Sequence, residues 1–221
     1  MDLSFAPVLD VLSCDSEVIG DRAFHSDPEA VHVLASAYIG GMHEAGMAAV
    51  GKHFPGHGGI GADSHTSLPE DRRSLDDLRV CDLVPYSSLA DRLGGVMLAH
   101  VAYPGISPQV PSYSSFWIRN VLKDELGFRG AVFSDDLSMA GAGADPLAQR
   151  CRSALGASCD LLIVCHELPA VDELMSDVRN TWAPENVEAT IQALYAHGRP
   201  LDPQAVQAAR ASVERASSNM G

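Results

Sequence analysis

The sequence predicts an α/β fold in which a parallel sheet is crossed over by helices, on three observations. Short apolar runs alternate with amphipathic stretches along most of the chain. The amphipathic stretches open on capping residues or proline and several close on glycine. The residues able to do chemistry (Lys52 and His53, His100, Asp135) gather just after the ends of the apolar runs.

Leu3–Leu9 reads as the first strand, with Pro7 near its end. Ser26-Asp27-Pro28-Glu29 supplies an N-cap followed by proline at the first helical position. Apolar residues at Ala30, Val33, Leu34, Ala37, Tyr38 and Met42 then follow at helical spacing, as a buried stripe would, until Gly46 stops the run. Met47–Phe54 is the second strand. A Gly/Pro-rich loop from Pro55 to Pro69 leads into Ser74-Leu-Asp-Asp77, a capping-box start. Gly94–His100 is the third strand, and a helix from about Ser115 to Glu125 is closed by Gly127. Phe128–Ser134 is the fourth strand, with Leu147–Gly156 as its helix, and Asp160–Cys165 the fifth. From Ala170 the chain reads as helical, Asp202-Pro203 opening the last helix.

A closed barrel of this class has eight strands and about 250 residues. Five strand–helix units therefore predict a (β/α)8-type barrel that is incomplete, as one catalytic domain over residues 1–221. An open doubly wound sheet also binds at strand C-termini, but it usually carries a glycine-rich phosphate turn. Gly56-His-Gly-Gly-Ile-Gly61 does not fit GxGxxG leading directly into a helix.

Charge narrows the function classes. Fifteen Lys and Arg against 29 Asp and Glu leave a formal charge of −14 and no basic run, so nucleic acid is not the expected partner. The longest apolar runs fall far short of the ~20 residues of a membrane span, and Met1-Asp-Leu-Ser lacks a secretory n-region. The five cysteines, Cys14, Cys81, Cys151, Cys159 and Cys165, are odd in number and without a CxxC pair, which points to a cytoplasmic protein with free thiols.

Lys52 to His65 is the richest segment: three histidines, an aspartate and a lysine around a glycine-rich turn. Three readings fit the spacing. His53, His57, Asp63 and His65 include metal-ligand types, although Pro55 and Gly56 prevent a helical His53/His57 pair. Asp63 and His65, alternate residues of an extended segment, can pair as an acid–base dyad. The third reading is a solvated loop with incidental histidines. Asp135 and Asp136 end an apolar strand, where a nucleophile or a helix cap belongs. Arg22 by itself reads as a surface residue, His100 equally as an interior histidine or a ligand contact, and Phe116, Trp117 and Ile118 as packing.

Phe5-Ala-Pro-Val-Leu-Asp10, Gly20–Pro28, Gly51-Lys-His-Phe-Pro-Gly-His-Gly58, Asp63-Ser-His65 and Phe133-Ser-Asp-Asp-Leu-Ser-Met139, in that order, resemble the bacterial β-N-acetylglucosaminidases of glycoside hydrolase family 3. The resemblance implies a retaining glycosidase of cell-wall (peptidoglycan) recycling in the cytoplasm. It would act on an amino-sugar substrate with a terminal β-linked N-acetylglucosamine, such as an anhydro-muropeptide, without metal or cofactor. It assigns Asp135 as nucleophile, His65 as acid/base, Asp63 as the dyad partner of His65, and Arg22, Lys52 and His53 as sugar-binding residues. A histidine suits both proton donation and uptake, its ordinary pKa being about 6.5.

Members of that family begin about a hundred residues earlier, with three further strand–helix units. The expectation is thus a chain lacking the barrel's N-terminal third, with two open sheet edges, poorly soluble or inactive alone. The competing reading is a non-catalytic or inactive sugar-binding fragment of the same barrel.

Overall fold

The computed structural model describes residues 1–13, 16, 18–60, 68–166, 169, 171, 174–175, 187–195 and 202–218. Five strands, β1 (Leu3–Ser4), β2 (Ala48–Phe54), β3 (Gly95–Leu98), β4 (Ala131–Asp136) and β5 (Leu161–Ile163), lie side by side in sequence order, every neighbouring pair parallel. The sheet curls as part of a barrel, and β1 and β5 are its outer strands. The α/β barrel-type expectation holds.

Helices connect the strands. α1 (Pro28–Glu44) begins where the sequence places it: the Asp27 side chain accepts a hydrogen bond from the Glu29 amide at 3.0 Å, with Pro28 in the first turn. α2 (Leu75–Arg79) carries the expected capping box, in which Ser74 Oγ accepts from the Asp77 amide and Asp77 Oδ2 accepts from the Ser74 amide. α3 (Val84–Leu89) follows, then α4 (Phe116–Glu125), wound in the wider π pattern and closed at Gly127, whose φ of +73° favours glycine. α5 (Leu147–Gly156), α6 (Val187–Leu194) and α7 (Pro203–Ser218) complete the described chain.

Strand alternation sorts side chains into two layers. Ala49, Val96, Leu98 and Val132 face the helices, in a core with Phe54, Tyr86, Tyr103 and Trp117. The rings of Phe54 and Tyr86 meet edge to face at 5.2 Å, and Tyr103 packs on Trp117 at 5.0 Å. Val50, Met97, Ala131 and Phe133 line the inner face, covered in part by Leu194 of α6. Phe116, Trp117 and Ile118 are packing residues, as read from sequence; Trp117 and Ile118 are fully buried.

Three expectations need correction. The buried stripe of α1 is Val31, Ala35, Ile39 and Met42, while Val33, Leu34 and Tyr38 are 63%, 45% and 49% exposed. Apolar residues occur on more than one side of this helix, and contact with β2 and α3, not spacing, selects the buried side. The first strand is shorter than Leu3–Leu9. Pro7 has no amide to donate, although Val50 and Lys52 still donate to the Ala6 and Pro7 carbonyls at 2.9 and 3.2 Å. The fourth strand runs through both acids to Asp136 and does not stop at Ser134. Cys81, Cys151, Cys159 and Cys165 are free thiols.

Ile39→Ala is expected to cost about 2–4 kcal/mol, as a cavity in a closed core, whereas Leu34→Ala should cost well under ~1 kcal/mol. Urea denaturation of the two variants tests this assignment of the α1 face.

Candidate active site

The residues with chemical potential converge on a cavity of about 330 Å³ at the C-terminal end of the sheet. Its polar lining includes Arg22, Lys52, His53, His57, Asp135, Asp136 and His166. Strand geometry accounts for two of them. Val50 and Phe133 face inward, so the side chains two residues on, Lys52 and Asp135, point the same way. The register sets Lys52 opposite Met97 and Met97 opposite Phe133, which places Asp135 one step nearer the rim than Lys52. A larger cleft, about 560 Å³, lies at the other end of the strands beside Met47 and Gly94, away from these groups.

Asp10 organises the β2 end of the site. Val8 bridges to Lys52, and the Leu9 amide donates to the Lys52 carbonyl at 2.6 Å, so the next residue arrives beside His53. The Asp10 side chain is completely buried. It accepts the His53 amide at 3.3 Å to each oxygen, the His57 amide at 2.8 Å, and a 2.7 Å hydrogen bond from His53 Nδ1. Burial would raise this carboxyl, but the charge and hydrogen bonds of His53 outweigh it and hold Asp10 below the usual range. With Nδ1 engaged by the carboxylate, Nε2 is the ring nitrogen left for a further hydrogen bond. The Lys52–His53 peptide is cis, and both side chains line the cavity.

Burial lowers the Lys52 ammonium, and the positive charge of Arg22 adds to this, while Asp135 and Asp10 oppose it. Arg22 sits in a short 3₁₀ turn, Gly20–Arg22, its guanidinium held by the Val18 carbonyl at 3.0 and 2.6 Å. Arg22 is exposed, as read from sequence, and also borders the cavity.

The two adjacent acids separate by their partners. Asp136 Oδ1 accepts from the Ser138 amide at 2.9 Å, the Ser138 hydroxyl at 2.5 Å and the Cys165 amide at 3.0 Å. Burial acts to raise Asp136, but these bonds dominate and hold it low. Asp136 thus ties the end of β4 to the segment after β5. Asp135 is half-buried; one of its oxygens accepts the Asp136 amide at 2.8 Å, and the group lines the cavity.

Arg22, Lys52, His53 and Asp135 are thus brought together. Asp63 and His65 lie outside the described residues. His100 is fully buried beside the Asp135 and Asp136 backbone, so it supports the site from within. Among the described residues no group of three or more His, Cys, Asp or Glu side chains is arranged to hold a metal ion. Asp10 received no role from sequence, although it carried the same signal as Asp135, an acid ending an apolar run.

A curled parallel sheet with an acid at the end of β4 and a cation at the end of β2, two strands away, fits the (β/α)-barrel class with its reactive groups on the C-terminal face. The chain belongs to glycosyl hydrolase family 3: the model of that family's N terminal domain matches residues 1–194. It is 52% identical over 190 residues to a beta-hexosaminidase of Idiomarina loihiensis, a match covering 85% of this chain and 57% of that protein. It is 51% identical over 203 residues to the beta-hexosaminidase of Alkalilimnicola ehrlichii, covering 91% and 57%. NagZ from Neisseria gonorrhoeae, solved in complex with N-trifluoroacetyl-D-glucosamine, superposes with a TM-score of 0.80 at 40% identity, over 95% of this chain and 60% of that one. The chain thus spans little more than half the length of the curated relatives it matches.

Asp10→Ala is expected to destabilise the fold by at least about 2 kcal/mol, because it strands buried donors at about 1–3 kcal/mol each; thermal or urea unfolding measures it. Burial is the leading cause that holds His57 and His100 below the ordinary histidine value. Below pH ~6.5 the unfolded chain therefore binds protons that the native state does not, so stability is full above that pH and erodes below it. The urea midpoint should stay level from about pH 7 to 8 and fall towards pH 5, with a shallower fall in His100→Gln.

Proposed function

We propose that this chain forms the catalytic face of a retaining β-N-acetylglucosaminidase. The observation that carries the reading is the division of labour at the end of β4. Both acids border the cavity shared with Lys52, His53 and Arg22, but Asp136 is committed by hydrogen bonds to Ser138 and Cys165, while Asp135 accepts only the Asp136 amide among the described residues. Membership of glycosyl hydrolase family 3 and the NagZ neighbour's amino-sugar ligand support it.

In the first step the Asp135 carboxylate attacks the anomeric carbon as the aglycone oxygen leaves, forming a glycosyl-enzyme ester. His65, charged and oriented by Asp63, gives its proton to that oxygen and then takes one from the water that cleaves the ester. Lys52 and Arg22 donate hydrogen bonds to sugar hydroxyls, and His53, held by Asp10 through Nδ1, makes one at Nε2. Neither step requires a metal or a cofactor. The substrate is a small cytoplasmic glycan ending in β-linked N-acetylglucosamine, the anhydro-muropeptides of peptidoglycan recycling being the best fit to the family. The chain's coverage of 57% of its relatives favours a second reading, an inactive sugar-binding part of the barrel.

Incubation with a slowly turned-over fluoro-sugar, followed by peptide mass mapping, decides between them. A label on Asp135 supports the enzyme, and binding with no label supports the inactive fragment. Asp135→Ala should lower kcat by at least ~10³-fold, whereas Lys52→Ala should mainly raise KM.

A further inference from the structure

We propose that Asp10 is the positioning residue of the sugar-binding histidine: it holds the His53 ring with its proton on Nδ1. Nε2 then presents a bare lone pair, and the cavity demands a hydrogen-bond donor, a hydroxyl, at one position of the sugar. The inference rests on the reading of His53 as a sugar contact and adds to it which partner that contact selects.

Among the described residues the Asp10 carboxylate meets two backbone amides and one imidazole nitrogen. The His57 amide donates to Oδ1 at 2.8 Å, and the His53 amide reaches each oxygen at 3.3 Å. An amide has a proton to give and no acceptor to offer, so both contacts favour the ionised carboxylate over the acid. Burial acts against that charge, yet the charge and hydrogen bonds of His53 hold Asp10 below the usual range. The remaining bond, 2.7 Å between Oδ2 and His53 Nδ1, therefore has its proton on the nitrogen. Arg73 satisfies the neighbouring buried acids: Nη1 and Nη2 reach Asp82 at 2.6 and 3.2 Å, and Nη2 reaches Asp71 at 2.6 Å. Asp10 is left as the acid that faces the histidines.

The backbone that carries both amides is fixed as well. A methyl group on Gly56 would stand 2.3 Å from Asp82 Oδ1, so the turn from His53 to His57 lies directly on the Asp82–Arg73 pair, and glycine is what permits the approach. The Gly56 carbonyl also accepts the Tyr103 hydroxyl at 2.6 Å. The His53 side chain is 9% exposed and lines the cavity. With Nδ1 turned to Asp10 in the wall, the ring edge that remains for the cavity carries Nε2. Lys52 and Arg22 line the same cavity and can only donate, so a lone pair on His53 supplies the acceptor that they lack. A neutral ring also spares the cavity a third positive charge beside those two.

The test compares binding of N-acetylglucosamine with binding of its monodeoxyfluoro analogues at the three non-anomeric hydroxyls. Fluorine can accept a hydrogen bond but has no proton to give. One analogue should bind at least about tenfold more weakly than the parent sugar, because fluorine set against a lone pair leaves the imidazole nitrogen unpaired. Asp10→Asn keeps the shape of the side chain and an acceptor for the His57 amide, but it offers Nδ1 an N–H and so moves the ring proton to Nε2. In that variant the same analogue should bind within about threefold of the parent sugar. Nitrogen NMR of the histidine rings in the unsubstituted protein reads the proton directly and requires no variant to fold: His53 should show a protonated Nδ1 and a bare Nε2. A proton on Nε2 in that spectrum overturns the proposal. So does an Asp10→Asn protein with the original ranking of analogues, or three analogues that all match the parent sugar while His53→Ala weakens it. Sugar binding that is absent, or that His53→Ala leaves unchanged, marks the failure of the sugar-contact reading instead, and the ring spectrum still decides the role of Asp10.

Discussion

The parallel sheet, in register up to the level of Lys52 and Phe133 and shifted beyond it, is the constraint from which the rest follows. Lys52, Met97, Phe133 and Leu161 stand level across four strands, and the two-residue repeat of a strand sends alternate side chains to opposite faces. Apolar residues therefore line most of the inner face, with Lys52 on β2 and Asp135 on β4 as its charged positions near the C-terminal rim. A shift of one residue in any pairing would turn Lys52 or Asp135 towards the helices, where a charge has no solvent and no partner. Core and site are two heights of one surface.

Buried charge is used here for placement. Asp10 and the Asp71–Arg73–Asp82 cluster lose hydration, which costs several kcal/mol per ion unless hydrogen bonds replace it. Each is satisfied from several directions: Asp10 by two amides and an imidazole, Arg73 by two carboxylates. Such groups tolerate little displacement, because every movement lengthens several charge-assisted bonds together. They lie behind the polar groups of the cavity, where rigidity serves chemistry. Asp136 serves the same purpose at β4, and by taking that duty it leaves its neighbour to face the cavity.

Features set by neighbours along the chain were readable from the residue order: the Asp27–Pro28 helix start, the Ser74/Asp77 capping box, the Gly127 stop and the order of five apolar runs. These depend on interactions within a few residues. Lys52, His53 and Asp135 were legible as candidates because residue type and position at a strand end are themselves local facts, whereas Arg22 was singled out only by the family resemblance. Choices among equals were decided by tertiary contact. α1 has apolar residues on more than one side, and only its neighbours select Ile39 over Leu34. Asp135 and Asp136 look alike in a string of letters; the Ser138 and Cys165 bonds distinguish them. Asp10 lies 43 residues from His53 along the chain, and no local pattern announces a 2.7 Å contact across that distance. Local chemistry determines which elements form, and the long-range packing of those elements determines which of their side chains meet.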